Sequence, residues 1–167
     1  PKVAIPVGPE NQGARVVGVD LGVQALATLS DGTPPVPAPK PLQAALKKLR
    51  RLARALSRKQ RGSANRKKAA AKLARLHRRI SDLRRDALHQ LSTALVRRFE
   101  VIVVEDLNVR GMLANGRLAR HIADLGFFEF RRQLEYKAAL AGRELVVAER
   151  WFASFMTCSA SGEIYTG

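Results

Sequence analysis

Two carboxylates that end apolar runs are the residues of this sequence best placed to do chemistry. Asp20 closes the run in "RVVGVDLG", and Glu105 closes the run in "VIVVEDL". If the two runs form neighbouring strands, both side chains emerge at the same edge of a sheet. Carboxylate oxygens are the ligands that Mg²⁺ or Mn²⁺ prefers. Two such ions can hydrolyse a phosphodiester by activating a water molecule and stabilising the leaving oxygen.

Turn capping and phosphate binding compete with a metal site as roles for these acids. Asp20 and Glu105 could each simply cap a turn, because Gly22 and Asn108 follow closely. "GVDLG" could also be the phosphate loop of sugar kinases and actin-like ATPases, although the second Gly-rich loop of that fold is not visible. Asp106 would point to the opposite face from Glu105 on an extended strand, so a structural role is expected for it.

The remaining side chains favour no other chemistry. The three histidines form neither a His-Glu-x-x-His pattern nor a Cys/His cluster. Aromatic residues make up 5% of the chain, which is too few to indicate a base-stacking platform. The cluster Phe127, Phe128 and Phe130 is expected to pack in the core or against a helix.

All of the formal net charge of +16 lies in one segment of 39 residues. Residues 47–85 contain 17 of the 30 lysines and arginines and a single acid, Asp82. A surface that only serves solubility mixes both signs, so a polyanion such as nucleic acid is the expected partner. A solvated helix surface is the simpler alternative.

The hydrophobic pattern predicts a mixed α/β fold. "RVVGVDL" and "QALATLS" predict two strands, while the prolines of "PPVPAPKP" leave room for a weak edge strand only. "VIVVEDL" and "GRELVVAER" predict two more strands, with a helix over about 126–141 between them. The order β-β-(β)-α-α-β-α-β then predicts strands that are buried on both faces.

Two long helices are predicted over about 42–98. Leucine and alanine recur at intervals of three and four from Leu42 to Leu56, and a second apolar stripe extends from Leu73 to Leu95. "RGSAN" interrupts the pattern and offers Asn65 as the N-cap of the second helix. We expect a long basic antiparallel helical hairpin whose apolar seams face each other.

Length, composition and the single cysteine limit the number of domains and the cellular compartments that are expected for the protein. With 167 residues and 46% hydrophobic content, the chain corresponds to one domain, or to one domain with a fragment attached. No stretch approaches the roughly 18 apolar residues of a membrane span, and the N-terminus does not resemble a secretory signal. The single Cys158 cannot form an internal disulfide, which fits a reducing cytoplasm. The first residue is not Met, so we expect a chain cut from something longer.

Six stretches occur in an order that resembles a known family. They are "VVGVDLG", "SRKQRGSANRKKA", "KLARLHRRISDLRRDALHQLSTALV", "VIVVEDLNVRGM", "FFEFRRQLEYKA" and "TCSASG". Together they resemble the RuvC-like nuclease domain of the TnpB (OrfB) proteins, which insertion sequences encode and which are related to compact type V CRISPR effectors. The resemblance extends from about Arg15 to Gly162.

The resemblance implies an RNase H-like (RuvC-like) mixed sheet, into which the helical hairpin is inserted. It also implies an RNA-guided DNA endonuclease that works with Mg²⁺ or Mn²⁺ on target DNA, with a guide RNA as partner, in the prokaryotic cytoplasm at the nucleoid. Asp20 and Glu105 fall on the first and second acidic motifs and are the expected catalytic metal ligands. The expected nucleic-acid contacts are Arg58, Lys59, Arg61, Arg66, Lys67, Lys68, Lys72, Arg75, Arg78, Arg79, Arg84, Arg85 and Arg110.

The resemblance also divides the chain into three parts. Residues 1–12 are expected to end a missing N-terminal domain, and residues 13–152 to form the nuclease domain, with the hairpin at about 42–98. Residues 153–167 are expected to begin a degenerate zinc ribbon, so the chain would be truncated at both ends. "CSAS" keeps Cys158 but places Ser161 where the family has a second cysteine, and a neutral hydroxyl is a poor zinc ligand.

The third acid of the family lies beyond the ribbon, and the sequence ends before it. We therefore expect the central part of an RNA-guided nuclease that cleaves DNA poorly, because two acids alone hold a metal ion weakly. A relative that binds RNA and DNA without cutting, or a decayed transposon remnant, is the main alternative. An actin-like or sugar-kinase-type phosphotransferase is a more distant one.

Overall fold

A computed structural model describes residues 15–116 and 118–148 of the chain. The expectations for residues 1–12 and 153–167, including Cys158, lie outside the described residues. Among the described helices, none combines the length and apolar composition that crossing a bilayer requires.

Five strands form one mixed sheet in the order β3-β2-β1-β4-β5. β1 and β2 are antiparallel, as are β2 and β3, whereas β4 lies parallel to both β1 and β5. The predicted mixed α/β class is therefore confirmed, and the proline-rich stretch forms a two-residue edge strand. The strands are β1 (Val16–Asp20), β2 (Ala25–Leu29), β3 (Val36–Pro37), β4 (Val101–Glu105) and β5 (Glu144–Ala148).

The described residues contain two long helices early in the chain and three shorter ones after β4. They are α1 (Pro41–Ser57), α2 (Ala64–Arg98), α3 (Val109–Ala114), α4 (Ala119–Leu125) and α5 (Phe127–Leu140). The predicted order of elements did not include α3 and α4, because six or seven residues are too few to display a clear helical period. Gly126 separates α4 from α5 with a φ of +71°, which glycine adopts readily.

The core lies between the sheet and helices α2 and α5. Val17 and Val19 of β1, with Ile102 and Val104 of β4, are 0 to 3% exposed and belong to the same buried cluster as leucines of α2 and phenylalanines of α5. The alternate residues are more accessible, and Val16 is 54% exposed. The prediction of strands buried on both faces is therefore wrong for the described residues, because the helices cover one face only.

Helices α1 and α2 contact each other and are joined by residues 58–63. The N-cap of α2 is Ser63 and not the predicted Asn65, since the Ser63 hydroxyl accepts a hydrogen bond from the backbone N–H of Arg66 at 3.2 Å. The buried residues of α2 begin at Ile80, and residues 64–79 include none. At 1.5 Å per residue, α2 is roughly 50 Å long, so its N-terminal half extends beyond the core.

Candidate active site and nucleic-acid interface

Strands β1 and β4 bring Asp20 and Glu105 to adjacent positions. The two strands are parallel, and Val19 pairs with Val104, so Asp20 and Glu105 occupy the next position of the register. Both acids are exposed and follow buried valines. Because side chains alternate along a strand, the two carboxylates point away from the buried valines. They do so at the ends of their strands, where Glu105 also borders a cleft next to α5. The structure thus brings together the two acids that the sequence singled out.

Two residues of the outer strands flank this pair of acids. Thr28 of β2 pairs with Asp20, and Ala148 of β5 pairs with Glu105. Partners in register project to the same face of a sheet, so a threonine hydroxyl and an alanine methyl border the carboxylates. Sequence reasoning missed Thr28, because its position depends on the register of β2 and not on any local motif.

The two acids repel each other. The Glu105 residue as a whole is exposed, but partial desolvation of its carboxyl group and, secondarily, the negative charge of Asp20 raise its pKa above the ordinary value. A cation between the two carboxylates would relieve this repulsion, and their oxygens are hard donors. The pair therefore fits a divalent ion such as Mg²⁺ as a set of two ligands. Within the described parts of the chain, no group of three or more His, Cys, Asp or Glu is placed to bind a metal.

Asp106 turns away from the pair and contacts α5. Its carboxylate accepts a hydrogen bond from Nη1 of Arg131 at 2.8 Å, and the same guanidinium donates to Glu135 at 3.0 Å. These contacts link the end of β4 to α5. The geometry agrees with the structural role predicted for Asp106.

A cleft of about 480 Å³ opens beside Glu105. Phe127 and Phe130 form part of its buried wall with exposures of 2% and 0%, whereas Phe128 is 73% exposed. The prediction that all three pack in the core or against a helix is therefore wrong for Phe128. On a helix with 100° per residue, Phe128 lies about 200° from Phe130 and cannot share its face. The other lining residues are Leu21, Val104, Leu107, Asn108, Val109, Arg110, Arg131, Arg132 and Glu135.

The cations predicted to contact nucleic acid fall in three places. The connection between α1 and α2 carries three, helix α2 carries nine, and α3 carries one. Eleven of the thirteen are exposed, and Arg66 and Arg84 are only partly accessible. The exposed ones are Arg58, Lys59, Arg61, Lys67, Lys68, Lys72, Arg75, Arg78, Arg79, Arg85 and Arg110.

Arg66 and Arg84 have partners within the protein. Nη1 of Arg66 donates to the carbonyls of Leu56 and Lys59, each at 3.1 Å, and so closes the connection between α1 and α2. Nη2 of Arg84 lies 3.9 Å from the buried carboxylate of Asp124, and the Arg84 side chain is 29% exposed. Both residues thus have structural contacts that the charge pattern alone did not indicate.

A row of cations on α2 has no such partners among the described residues. Lys68, Lys72, Arg75 and Arg79 are exposed and spaced by four, three and four residues, so they lie along one face of the helix. Arg78 and Arg85, by contrast, share Asp82 at 3.8 and 2.7 Å. We call the first four residues the α2 cation row.

Helix α1 carries further cations, which were not among the residues predicted from the sequence to contact nucleic acid. Lys47, Lys48, Arg51 and Arg54 line a shallow groove on its exposed side. The helical spacing of these residues was the signal that could have identified them. The exposed basic surface therefore includes α1 as well as α2.

The chain is similar to proteins of known families. Residues 2–116 match the OrfB_IS605 family, described as a probable transposase, and residues 127–166 match the Cas12f1-like TNB domain. A Streptomyces pristinaespiralis protein named as an RNA-guided DNA endonuclease is 48% identical over 158 residues, which cover 95% of this chain and 39% of that protein. A Mycobacterium tuberculosis (strain CDC 1551 / Oshkosh) protein named likewise is 46% identical over 154 residues, which cover 86% of this chain and 34% of that protein.

A solved structure shares the fold. The Cas12f1 chain in a cryo-EM structure of a Cas12f1–sgRNA–target DNA complex aligns with 97% of this chain and 41% of its own length, with a TM-score of 0.55 and 13% identity. This likeness concerns the fold alone. The chain spans about two fifths or less of the relatives that it matches.

Proposed function

Since the chain belongs to the OrfB_IS605 family, we propose that it is the central, RuvC-like part of an RNA-guided DNA endonuclease. The mixed sheet would be RNase H-like, and α1 with α2 would be the helical hairpin inserted into it. Its partners would be a guide RNA and target DNA, in the bacterial cytoplasm at the nucleoid. Family membership leaves no reason to retain an actin-like phosphotransferase.

The observation that carries this proposal is the adjacent placement of Asp20 and Glu105 at the carboxyl ends of two parallel strands. Their oxygens would hold Mg²⁺ or Mn²⁺. Bound in this way, the ions would supply an activated water and charge stabilisation for phosphodiester hydrolysis. Asp20 and Glu105 are exposed at the ends of their strands, and among the described residues α2 and α5 pack on the side of the buried valines, so a DNA strand has access to the two acids.

The cations of α1 and α2 would provide the binding energy for nucleic acid. Each phosphate that a lysine or arginine neutralises releases condensed counterions. The α2 cation row lies on the half of α2 that has no buried residues, so a nucleic-acid backbone can reach it. This arm would hold the polyanion while the carboxylate pair meets the phosphodiester.

A protein that binds nucleic acid without cutting is the second candidate. It is favoured by one observation: within residues 15–116 and 118–148, only two carboxylates meet at the site and no third metal-binding side chain joins them. Two carboxylates bind a divalent ion weakly, so we expect slow cleavage at most.

Metal binding and nicking together test the proposal. We expect titration calorimetry of the 167-residue chain to show weak Mn²⁺ binding that Asp20→Asn and Glu105→Gln each reduce at least about tenfold, the scale on which one lost charged ligand acts. Asp82→Asn, at a partly exposed acid in the middle of α2, serves as the control and should bind as the unaltered chain does. Equal Mn²⁺ binding by all variants would refute the site. Nicking of plasmid DNA that both variants abolish would decide for the nuclease over the binding module.

A further inference from the structure

The cleft beside Glu105 has features that the carboxylate pair does not require. It combines an exposed aromatic ring at Phe128, an apolar floor and the cation Arg110. We propose that this cleft binds one unpaired nucleotide of the DNA strand, with the base stacked on Phe128 and the phosphate contacted by Arg110. This inference rests on the proposed function and names the DNA contacts next to Asp20 and Glu105.

Phe128 is presented by a rigid support. It lies in the first turn of α5, whose neighbouring residues Phe127 and Phe130 are buried in the core. A large apolar side chain that is 73% exposed at the entrance of a cleft gains nothing from the fold itself. Nucleobases stack on aromatic side chains whatever their sequence, and a volume of about 480 Å³ lies within the range of sites for small ligands.

The charges lining the cleft single out Arg110. Arg131 is neutralised by Asp106 and Glu135 at 2.8 and 3.0 Å. Two nitrogens of Arg132 bond both carboxylate oxygens of Glu129 at 2.8 and 2.7 Å.

Arg110 itself is exposed and, within the described parts of the chain, no acid pairs with it. The side chain of Asn108 accepts a hydrogen bond from the backbone N–H of Gly111 at 3.0 Å, which holds the first turn of α3 and therefore the position of Arg110. An exposed cation on a capped helix is available to contact a phosphate.

The position of the cleft favours a DNA strand as its occupant. Glu105 belongs both to the cleft lining and to the carboxylate pair, so a nucleotide in the cleft is continuous with a phosphodiester at the pair. An apolar protein segment would leave the charge of Arg110 without a partner. A nucleotide can stack its base on the ring of Phe128 and pair its phosphate with Arg110 at the same time.

The experiment uses a single-stranded oligonucleotide that contains 2-aminopurine, whose fluorescence falls on stacking. We expect Phe128→Ala to lower the affinity of the 167-residue chain about tenfold and to remove the quenching, without changing the salt dependence. Phe128→Trp should keep both affinity and quenching. The matched control is Leu140→Ala, since Leu140 is an apolar residue of the same helix that is 83% exposed.

A second pair of variants tests the phosphate contact. Arg110→Gln should reduce the slope of log K against log salt by about 0.7, the value for one single-strand phosphate. Arg97→Gln, at an exposed arginine near the end of α2, should leave the 2-aminopurine signal unchanged. Salt-dependent binding in which Phe128→Ala behaves as Leu140→Ala does would overturn the nucleotide subsite and leave the proposed function standing. An unaltered chain that binds no nucleic acid would overturn both.

Discussion

The buried carboxylate of Asp124 accepts a hydrogen bond from the backbone N–H of Leu42 at 3.0 Å, although 82 positions separate the two residues. It also accepts the N–H of Gln43 at 3.1 Å. Leu42 lies in the first turn of α1, where N–H groups have no partner within the helix, and the residue before α1, Lys40, supplies no side-chain bond. Asp124 of α4 therefore acts as an N-cap from a distant element and fastens α1 to the core.

Replacing Asp124 should destabilise the protein more than replacing any exposed acid. Asp124→Asn keeps the shape but loses the charge that faces the start of α1 and the guanidinium of Arg84. We expect the free energy of unfolding to fall by about 1–3 kcal/mol, the range of a lost cap and of buried hydrogen bonds to a charge. Urea unfolding measures this loss.

The matched control for this prediction is Asp82→Asn. Asp82 makes ion pairs with Arg78 and Arg85 on the surface, and its side chain is 47% exposed. Such pairs contribute about 0–1 kcal/mol. Similar losses for the two variants would show that Asp124 does not hold α1.

The partial desolvation of the Glu105 carboxyl group and, secondarily, its repulsion by Asp20 should be visible in stability. The folded state raises the pKa of Glu105 above its ordinary value of 4.5, so its contribution to stability is present below the unfolded pKa and is lost as pH rises through the folded pKa. At pH 7 the ionised carboxylate is therefore unfavourable. We expect Glu105→Gln to raise Tm by about 2 °C at pH 7 and to leave it unchanged near pH 3.

The effect of divalent ions on Tm provides a second test of the same pair of acids. A ligand that binds only the folded state stabilises it, so Mg²⁺ should raise Tm of the unaltered chain and not that of Glu105→Gln. Glu100→Gln, at an exposed glutamate just before β4, is the control and should respond as the unaltered chain does. A Glu105→Gln variant that is less stable at pH 7 would contradict the conclusion that the ionised Glu105 carboxylate is unfavourable in the folded state.

The α2 cation row should account for part of the salt dependence of duplex binding. Changing Lys68, Lys72, Arg75 and Arg79 to Gln should reduce the slope of log K against log salt by about 0.9 for each phosphate that is no longer neutralised. The row lies where α2 has no buried residues, so unfolding should change little. Fluorescence anisotropy over a series of salt concentrations measures the slope.

Arg66→Gln is the contrasting variant. Arg66 donates to the carbonyls of Leu56 and Lys59, so its loss should loosen the connection between α1 and α2 and leave the slope nearly unchanged. A large change of slope in Arg66→Gln, with none in the four-residue variant, would reverse the assignment of these cations.

Acid should weaken the contact between α5 and α2 through Glu129. Hydrogen bonds from Arg132 and Gln133 lower the pKa of Glu129 to about 2. The buried Gln133 in turn accepts a hydrogen bond from Ser92 of α2 at 3.1 Å. Because the folded pKa lies below 4.5, the stability that ionised Glu129 contributes is present above pH 4.5 and is lost as pH falls toward 2.

Glu129→Gln should therefore flatten the dependence of Tm on pH between about 4.5 and 2. At pH 7 the variant should lose less than about 1 kcal/mol, because the pair is partly exposed. Glu144→Gln, at an exposed residue of β5, should retain the slope of the unaltered chain. A Glu129 variant with an equally steep acid transition would show that this hydrogen-bonded group does not control it.

The choice of elements followed from local sequence. The apolar runs that end in Asp20 and Glu105 became β1 and β4, and the two apolar stripes became α1 and α2. Residue types and hydrophobic spacing are properties of neighbours along the chain, so strands, helices and candidate acids can be read from them. For the same reason the basic segment was located without knowledge of the fold.

The register of the strands and the packing of the helices could not be predicted from local sequence. Phe128 looked like its buried neighbours, and Arg84 looked like any other cation of α2. Their roles depend on which face of a helix meets the core and on which distant side chain approaches.

The sequence by itself therefore determined the mixed α/β class, the two acids and the concentration of positive charge. Tertiary structure alone decided that Asp20 and Glu105 are neighbours at the ends of β1 and β4, that Asp124 caps the N-terminus of α1, and that Phe128 and Arg110 line one cleft. The physical reason is that hydrophobic period and charge are set residue by residue. A site is set by contacts between segments far apart in sequence, and these exist only once the strands pair and the helices pack.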